Sequence, residues 1–160
     1  MSDLVLVLNC GSSSIKFGLF DASAQPLPRK PLWNGKVDGI TGPAPTFGET
    51  GVTPGPVALD AAHPYRAALE HIRARVLDRM AQGGHRIAAV AHRVVHGGAK
   101  YFDPVRVDAG VLADLRSYIP LAPLHQPFAL EAIAALLEST PELPQVACFD
   151  TAFHHTLPDV

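Results

Sequence analysis

Apolar and polar positions divide the first third of the chain into strand-like runs and polar connections. Leu4 to Leu8 is a continuous apolar run of strand length, which is typical of a strand buried on both faces. Alternating apolar positions over residues 15–20 predict a second strand, and the short polar stretch between the runs predicts a hairpin. The region from Pro26 to Pro56 is rich in Pro, Gly and Thr, so we expect loops there with one short strand around Gly35 to Ile40.

Helical periodicity begins in the next third. Apolar residues three and four positions apart from Tyr65 to Met80 predict a helix that begins at Pro64 and stops at Gly83–Gly84. Helical connections between strands imply parallel pairing, so the whole pattern predicts an α/β domain with a mixed sheet and functional loops at the strand ends. The remaining predicted elements are a strand at Ile87–Ala91, a helix from Val111 that Pro120 ends, a helix at Pro127–Glu138 and a strand at Gln145–Phe149.

Composition and charge limit the classes of function. The 160 residues suit one domain, and 13 basic against 15 acidic residues give a net charge of -2. Such a balance gives no basic field for nucleic acid or an anionic membrane, and no apolar run approaches the roughly 18 residues of a membrane span. Cys10 and Cys148 lie far apart and no secretory signal pattern precedes them, so we expect reduced thiols in a cytoplasmic protein.

The polar stretch between the first two predicted strands carries candidate chemistry. Gly11, three serines and Lys16 follow Asn9, and backbone N–H groups, the hydroxyls of Ser12 and Ser14 and the lysine charge could together hold a phosphate. A nucleotide-binding loop of the Walker type is excluded because a strand, and not a helix, follows the lysine. A serine-rich turn with the lysine in solvent stays open as the alternative.

Two charged residues at predicted strand ends are further candidates. The planar fork of Arg93 suits a carboxylate beside a phosphoryl group, and Asp150 could orient Mg²⁺. A surface ion pair for Arg93 and a helix cap for Asp150 remain alternatives. His92 and His96 would lie roughly 13 Å apart on an extended strand, so no zinc site is predicted.

Four segments in order resemble the signatures of acetate kinases: VLNCGSSSIKFGLF at 7–20, AHRVVHGG at 91–98, APLHQPFALEAI at 122–133 and FDTAFHHTLP at 149–158. That family is part of the acetate and sugar kinase, Hsp70 and actin superfamily. The resemblance implies a ribonuclease-H-like α/β domain, a mixed sheet with an N-terminal β-hairpin and flanking helices. Residues 1–160 would be the N-terminal domain, with the C-terminal ATP-binding domain absent from this chain.

The resemblance also implies a reaction and its site residues. The reaction is the reversible, Mg²⁺-dependent phosphorylation of acetate by ATP, which gives acetyl phosphate and ADP. A homodimer and an inactive isolated fragment are further expectations from the family. The implied site residues are Ser12, Ser14 and Lys16 for the ATP phosphates, Asn9 for the metal, Arg93 and Asp150 for catalysis, and Arg93, Val95, Leu124 and His125 for acetate.

Three alternatives stay open at this point. Propionate or another short-chain carboxylate could be the acceptor, because one methylene in an apolar pocket changes binding by only about 1–3 kcal/mol. A non-catalytic module for anion binding or assembly could have kept the loop without the kinase. A kinase for a hydroxylated substrate would use Asp150 as general base, although the small apolar side chains Val95 and Leu124 argue against a sugar.

Overall fold

A computed structural model describes residues 3–23, 30–94, 103–121 and 126–149. Within these residues eight strands form one mixed sheet in the order β5-β4-β3-β2-β1-β6-β8-β7. The strands are β1 (Asp3–Cys10), β2 (Ile15–Asp21), β3 (Trp33–Asp38), β4 (Thr46–Glu49), β5 (Val52–Pro56), β6 (Arg86–Val94), β7 (Val105–Arg106) and β8 (Gln145–Phe149). The helices are α1 (Pro64–Gly83), α2 (Ala109–Arg116) and α3 (Gln126–Ser139), with a 3₁₀ turn at Ile119–Leu121.

Strand pairing confirms the predicted mixed sheet. β1 and β2 form an antiparallel hairpin, whereas β1 pairs with β6 and β6 pairs with β8 in parallel. The parallel pairs are joined by connections that contain helices, as expected for crossovers that return to the same edge of a sheet. The loop between β1 and β2 and the end of β6 therefore lie at the same edge.

The prediction for the region from Pro26 to Pro56 was wrong in part: the expected short strand is present as β3, but β4 and β5 are two further strands where loops were expected. β3, β4 and β5 form an antiparallel extension of the sheet beside β2. Phe47 of β4 stacks on Phe17 of β2, with ring centroids 6.2 Å apart, so burial of aromatic side chains stabilises strands of weak propensity. The prolines of β5 are tolerated because β5 is the edge strand and its N–H groups need no partner on the outer side.

The core lies on one face of the sheet. Leu4, Leu6 and Leu8 of β1 are buried, whereas Val5 and Val7 between them are only half-buried. The prediction that β1 is buried on both faces was therefore wrong for the part of the chain that the structure describes, where α1, α2 and α3 all pack against the same face. We call the other side of the sheet the open face.

Helix ends follow local chemistry. α1 ends at Gly83 and is capped by Gly84, whose φ of 66° is in the left-handed region and whose N–H donates to the Met80 carbonyl, as the predicted stop requires. α2 begins after Asp108, which accepts a hydrogen bond from the Val111 N–H at 2.8 Å. α2 ends at Arg116, earlier than the predicted stop at Pro120, because the chain tightens into the 3₁₀ turn. Among the described residues no helix has the length and apolar character needed to cross a bilayer.

Candidate anion-binding site on the open face

The loop between β1 and β2 is held by contacts from distant elements. The Gly11 N–H donates to the Ser14 carbonyl at 2.8 Å and closes the turn. The Ile40 N–H donates to the Ser13 carbonyl at 2.9 Å, and the Tyr65 hydroxyl donates to the Ser14 carbonyl at 3.3 Å. The segment that follows β3 and the start of α1 therefore position a loop that the sequence predicts only as a hairpin turn.

Side chains of the loop are accessible to a ligand. Ser12 is exposed and Ser14 is half-buried. Gly11 does not adopt a positive φ, and a Cβ atom there would meet the Ser14 carbonyl oxygen at 3.6 Å, which is an ordinary contact. The fold therefore does not require glycine at this position, which is consistent with a ligand that approaches the backbone.

Three of the predicted site residues lie side by side on the open face. Asn9 of β1 pairs with Lys16 of β2. The parallel pairing of Leu8 with His92, continued by one residue, places Arg93 of β6 on the other side of Asn9. Because neighbouring strands lie about 4.8 Å apart, the backbones at Arg93 and Lys16 are roughly 10 Å apart. The sheet thus aligns two cationic side chains with an amide between them.

The two cysteines do not supply a reactive thiolate to the site. Neither Cys10 nor Cys148 forms a disulfide, as expected for reduced thiols. Burial raises the pKa of the Cys10 thiol to about 12, with a smaller contribution from the charge of Glu131. Burial also raises the pKa of Cys148. Both shifts disfavour the thiolate, which is the nucleophilic form of cysteine.

His92 is a buried core residue. Its Nε2 lies 2.6 Å from Gln145 Oε1, and Gln145 Nε2 donates to the Ile133 carbonyl at 3.3 Å. Burial lowers the pKa of His92 to about 4, so the ring is neutral at pH 7 and donates through Nε2. This pair joins β6 to β8 and to α3, directly beneath the strand end that carries Arg93.

The remaining predicted site residues cannot be placed. Asp150, Val95, Leu124 and His125 all lie outside the described residues. In the part of the chain that the structure describes, no cluster of three or more His, Cys, Asp or Glu side chains could hold a metal ion. Sequence reasoning missed Tyr65 as a support of the loop, because its apolar spacing shows only that it faces the core.

Comparisons with known proteins identify the family of this chain. A family model described as the acetokinase family matches residues 4–160. The chain is 44% identical to an acetate kinase of Rhodopseudomonas palustris over 162 residues, which cover 100% of this chain and 40% of that protein. It is 45% identical to an acetate kinase of Nitrobacter hamburgensis over 157 residues, which cover 96% of this chain and 38% of that one.

Solved structures give the same result for the fold. A propionate kinase from Francisella tularensis subsp. tularensis SCHU S4 has a TM-score of 0.77 at 35% identity, over 99% of this chain and 39% of that one. The acetate kinase of Porphyromonas gingivalis has a TM-score of 0.75 at 31% identity, over 98% of this chain and 39% of that one. The chain thus spans about two fifths of the length of these relatives, and the expected fold of the actin, Hsp70 and sugar kinase type is confirmed. With a family match over nearly its whole length, the chain belongs to the acetokinase family.

Proposed function

We propose that this chain forms the part of an acetate kinase that holds the phosphates of ATP together with acetate. The observation that carries the proposal is the alignment of Arg93, Asn9 and Lys16 on adjacent strands of the open face, beside the hairpin loop. The matched relatives are more than twice as long as this chain, so a second, C-terminal domain would supply the adenosine pocket.

The hairpin loop would bind the phosphate chain of ATP. The hydroxyls of Ser12 and Ser14 can donate to phosphate oxygens, and Lys16 supplies a positive charge that is exposed on the open face. The bonds from Ile40 and Tyr65 fix the loop before any ligand arrives, which reduces the entropy lost on binding.

Arg93 would hold the two anions that react. Acetate is ionised at neutral pH and needs no general base, so the main obstacle is repulsion between its carboxylate and the phosphates. A guanidinium can contact a carboxylate and a phosphoryl oxygen at once. An acetate oxygen then attacks the γ-phosphorus as the bond to the β,γ-bridging oxygen breaks, and acetyl phosphate and ADP are the products.

The described residues fit Mg²⁺ that binds together with the phosphates of the nucleotide. The amide oxygen of Asn9 can face such an ion, but Lys16 and Arg93 on either side would repel a cation that arrived alone. Magnesium usually keeps several of its water ligands, and phosphate oxygens and one or two carboxylates commonly bind it. We assign the role of such a carboxylate to Asp150. When bound with the nucleotide, it would neutralise charge on the phosphates.

Further roles are carried over from the family motifs alone. Val95 and Leu124 would enclose the acetate methyl group, and His125 would contact the phosphoryl group. We also propose a homodimeric, cytoplasmic enzyme, as the resemblance implies. Propionate stays a second candidate acceptor, because the propionate kinase from Francisella tularensis is 35% identical over 99% of this chain.

A chimera tests the proposed function. Residues 1–160 replace the matching segment of the Rhodopseudomonas palustris acetate kinase, and acetyl phosphate formation from ATP and acetate is measured. We expect turnover by the chimera, loss of turnover in its Lys16→Ala variant, and none by the 160-residue chain alone. An inactive but folded chimera would favour a non-catalytic anion-binding module, and turnover by the chain alone would contradict the division of the site between two domains.

A further inference from the structure

A polar hollow lies on the open face next to the hairpin loop. Strands β2 to β5 form its floor, and its volume is about 470 Å³. This volume falls within the range of about 300–1,000 Å³ that is typical of small-molecule sites. Its polar lining residues are Lys16, Asn34, Lys36, Asp38, Thr46, Glu49 and Thr50. The Glu49 carboxylate is already paired with Arg75 at 2.8 Å.

Lys36 is the direct neighbour of Lys16 across the β2–β3 pair. Side chains of directly paired residues in antiparallel strands lie on the same face, with Cβ atoms about 4.5–5.5 Å apart. Two lysine side chains at this separation can reach a single anion, whereas they repel each other when no anion is present. An anion between them would therefore remove an unfavourable interaction as well as add favourable ones.

The carboxylate of Asp38 supplies a negative charge in the hollow, next to Lys36. Its Oδ2 lies 3.2 Å from the Lys36 Nζ, and its Oδ1 accepts from the Gly39 N–H at 3.0 Å. The hydrogen bond from Lys36, then the one from Gly39, lower the pKa of Asp38, and the charge of Lys16 contributes a smaller part. The carboxylate of Asp38 thus lies in the field of both ammonium groups.

We propose that Lys16 and Lys36 form an anion subsite for a phosphate group of the phosphoryl donor, and that the Asp38 carboxylate occupies this subsite when no phosphate is bound. The inference rests on the proposed function for the identity of the donor. Asp38 would keep the two lysines in place and compete with the ligand, so it would set the affinity of the subsite. Lys36 was not a predicted site residue, because its position beside Lys16 depends on the register between β2 and β3, which the linear sequence does not show.

The test is a titration of the full 160-residue chain with sodium tripolyphosphate. Calorimetry and amide chemical shifts monitor the binding. Lys36→Met removes the charge and keeps the apolar stem of a side chain that is 43% exposed, so the fold should be retained. We expect the Kd of Lys36→Met to rise about two- to fivefold, the range for one exposed charge contact. Lys30→Met is the matched control, because Lys30 is exposed and does not line the hollow.

Asp38→Asn provides a second, opposite test. Removal of the competing carboxylate should lower the Kd for tripolyphosphate, by about twofold or more. Equal affinities of Lys36→Met and Lys30→Met, or an unchanged or weaker affinity of Asp38→Asn, would overturn the subsite. Lys16 belongs to both proposals, whereas Lys36 belongs only to the subsite. If Lys16→Ala leaves binding intact, both proposals fail; if Lys16→Ala weakens binding and Lys36→Met has no effect, the loop stands and the subsite fails.

Discussion

The hydroxyl of Tyr65 on α1 donates a hydrogen bond to the carbonyl oxygen of Ser14, with 3.3 Å between the two oxygens. The Tyr65 ring also packs against Phe128 of α3, with ring centroids 5.1 Å apart. Burial raises the pKa of Tyr65, so its hydroxyl remains a donor at all ordinary pH values. Two helices on the core face therefore support the loop that we propose to bind phosphate on the opposite side of the sheet.

Tyr65→Phe tests this support. Loss of the hydrogen bond should lower the free energy of unfolding by about 0.5–1.5 kcal/mol and leave the packing against Phe128 intact. The loop should become more mobile, so tripolyphosphate should bind more weakly. Urea denaturation and the tripolyphosphate titration measure the two effects, and a variant with unchanged values in both would show that the bond does not position the loop.

Gly35→Ala should strongly destabilise the extended part of the sheet. A Cβ atom at Gly35 would lie 2.5 Å from the Phe17 ring and 2.7 Å from the Gly48 carbonyl oxygen. The Phe17 ring packs edge-on against Trp33 and has little room to move, so we expect a loss of about 1–3 kcal/mol.

Gly55→Ala is the matched control for Gly35→Ala. A Cβ atom at Gly55 meets nothing within 4 Å, so its effect should stay within about 0.5 kcal/mol. Thermal denaturation of both variants is the measurement. Equal losses of stability in the two variants would mean that glycine content determines the stability of this region. The close contact of Gly35 with Phe17 and Gly48 would then not be the cause.

His92 should make stability depend on pH in a defined window. Its folded pKa of about 4 lies below the ordinary value of about 6.5, so between these values the unfolded chain binds a proton that the folded chain does not. The contribution of His92 to the free energy of unfolding is therefore fully present above pH 6.5. It decreases by on the order of 3 kcal/mol as the pH drops toward 4.

His92→Met removes this titration and keeps an apolar side chain of similar length. The variant should lose stability at pH 7, because Gln145 loses its partner, but its stability should change less between pH 6.5 and 4 than that of the wild type. Urea denaturation at several pH values provides the comparison. Parallel pH profiles for the two proteins would contradict the assignment of a neutral buried histidine.

Arg93→Ala in the chimera should lower kcat by a factor on the order of 10²–10³. Removal of one hydrogen-bond donor to an oxygen that develops negative charge in the transition state has an effect of this size. Arg93→Lys should recover only part of the rate, because a point charge cannot contact a carboxylate and a phosphoryl oxygen with fixed geometry. Steady-state kinetics with acetate and ATP measure both. Turnover of Arg93→Ala equal to that of the unmodified chimera would remove Arg93 from the mechanism.

Leu124→Ala in the chimera should enlarge the acceptor pocket. The ratio of kcat/KM for propionate over acetate should rise by up to roughly tenfold, because one methylene in an apolar pocket is worth only about 1–3 kcal/mol. Kinetics with both acids give the ratio. An unchanged ratio would place Leu124 outside the pocket.

The sequence by itself determined the first hairpin, the parallel strands and the limits of α1. These features depend on local chemistry: uninterrupted apolar runs for β1 and β6, three- and four-residue spacing for α1, and a glycine that can adopt a positive φ after its last turn. The motif residues Asn9, Lys16 and Arg93 could be identified for the same reason, since they lie in continuous segments that resemble the family.

Only the tertiary structure decided how the other parts of the sheet form and what surrounds the loop. β4 and β5 have weak strand propensity and are stabilised by pairing and by aromatic contacts between residues some 30 positions apart, such as Phe17 and Phe47. The placement of Lys36 beside Lys16 depends on the register between β2 and β3, and the support of Ser14 by Tyr65 joins residues 51 positions apart. Such contacts depend on the three-dimensional packing of distant segments, which a linear pattern of apolar and polar residues does not contain.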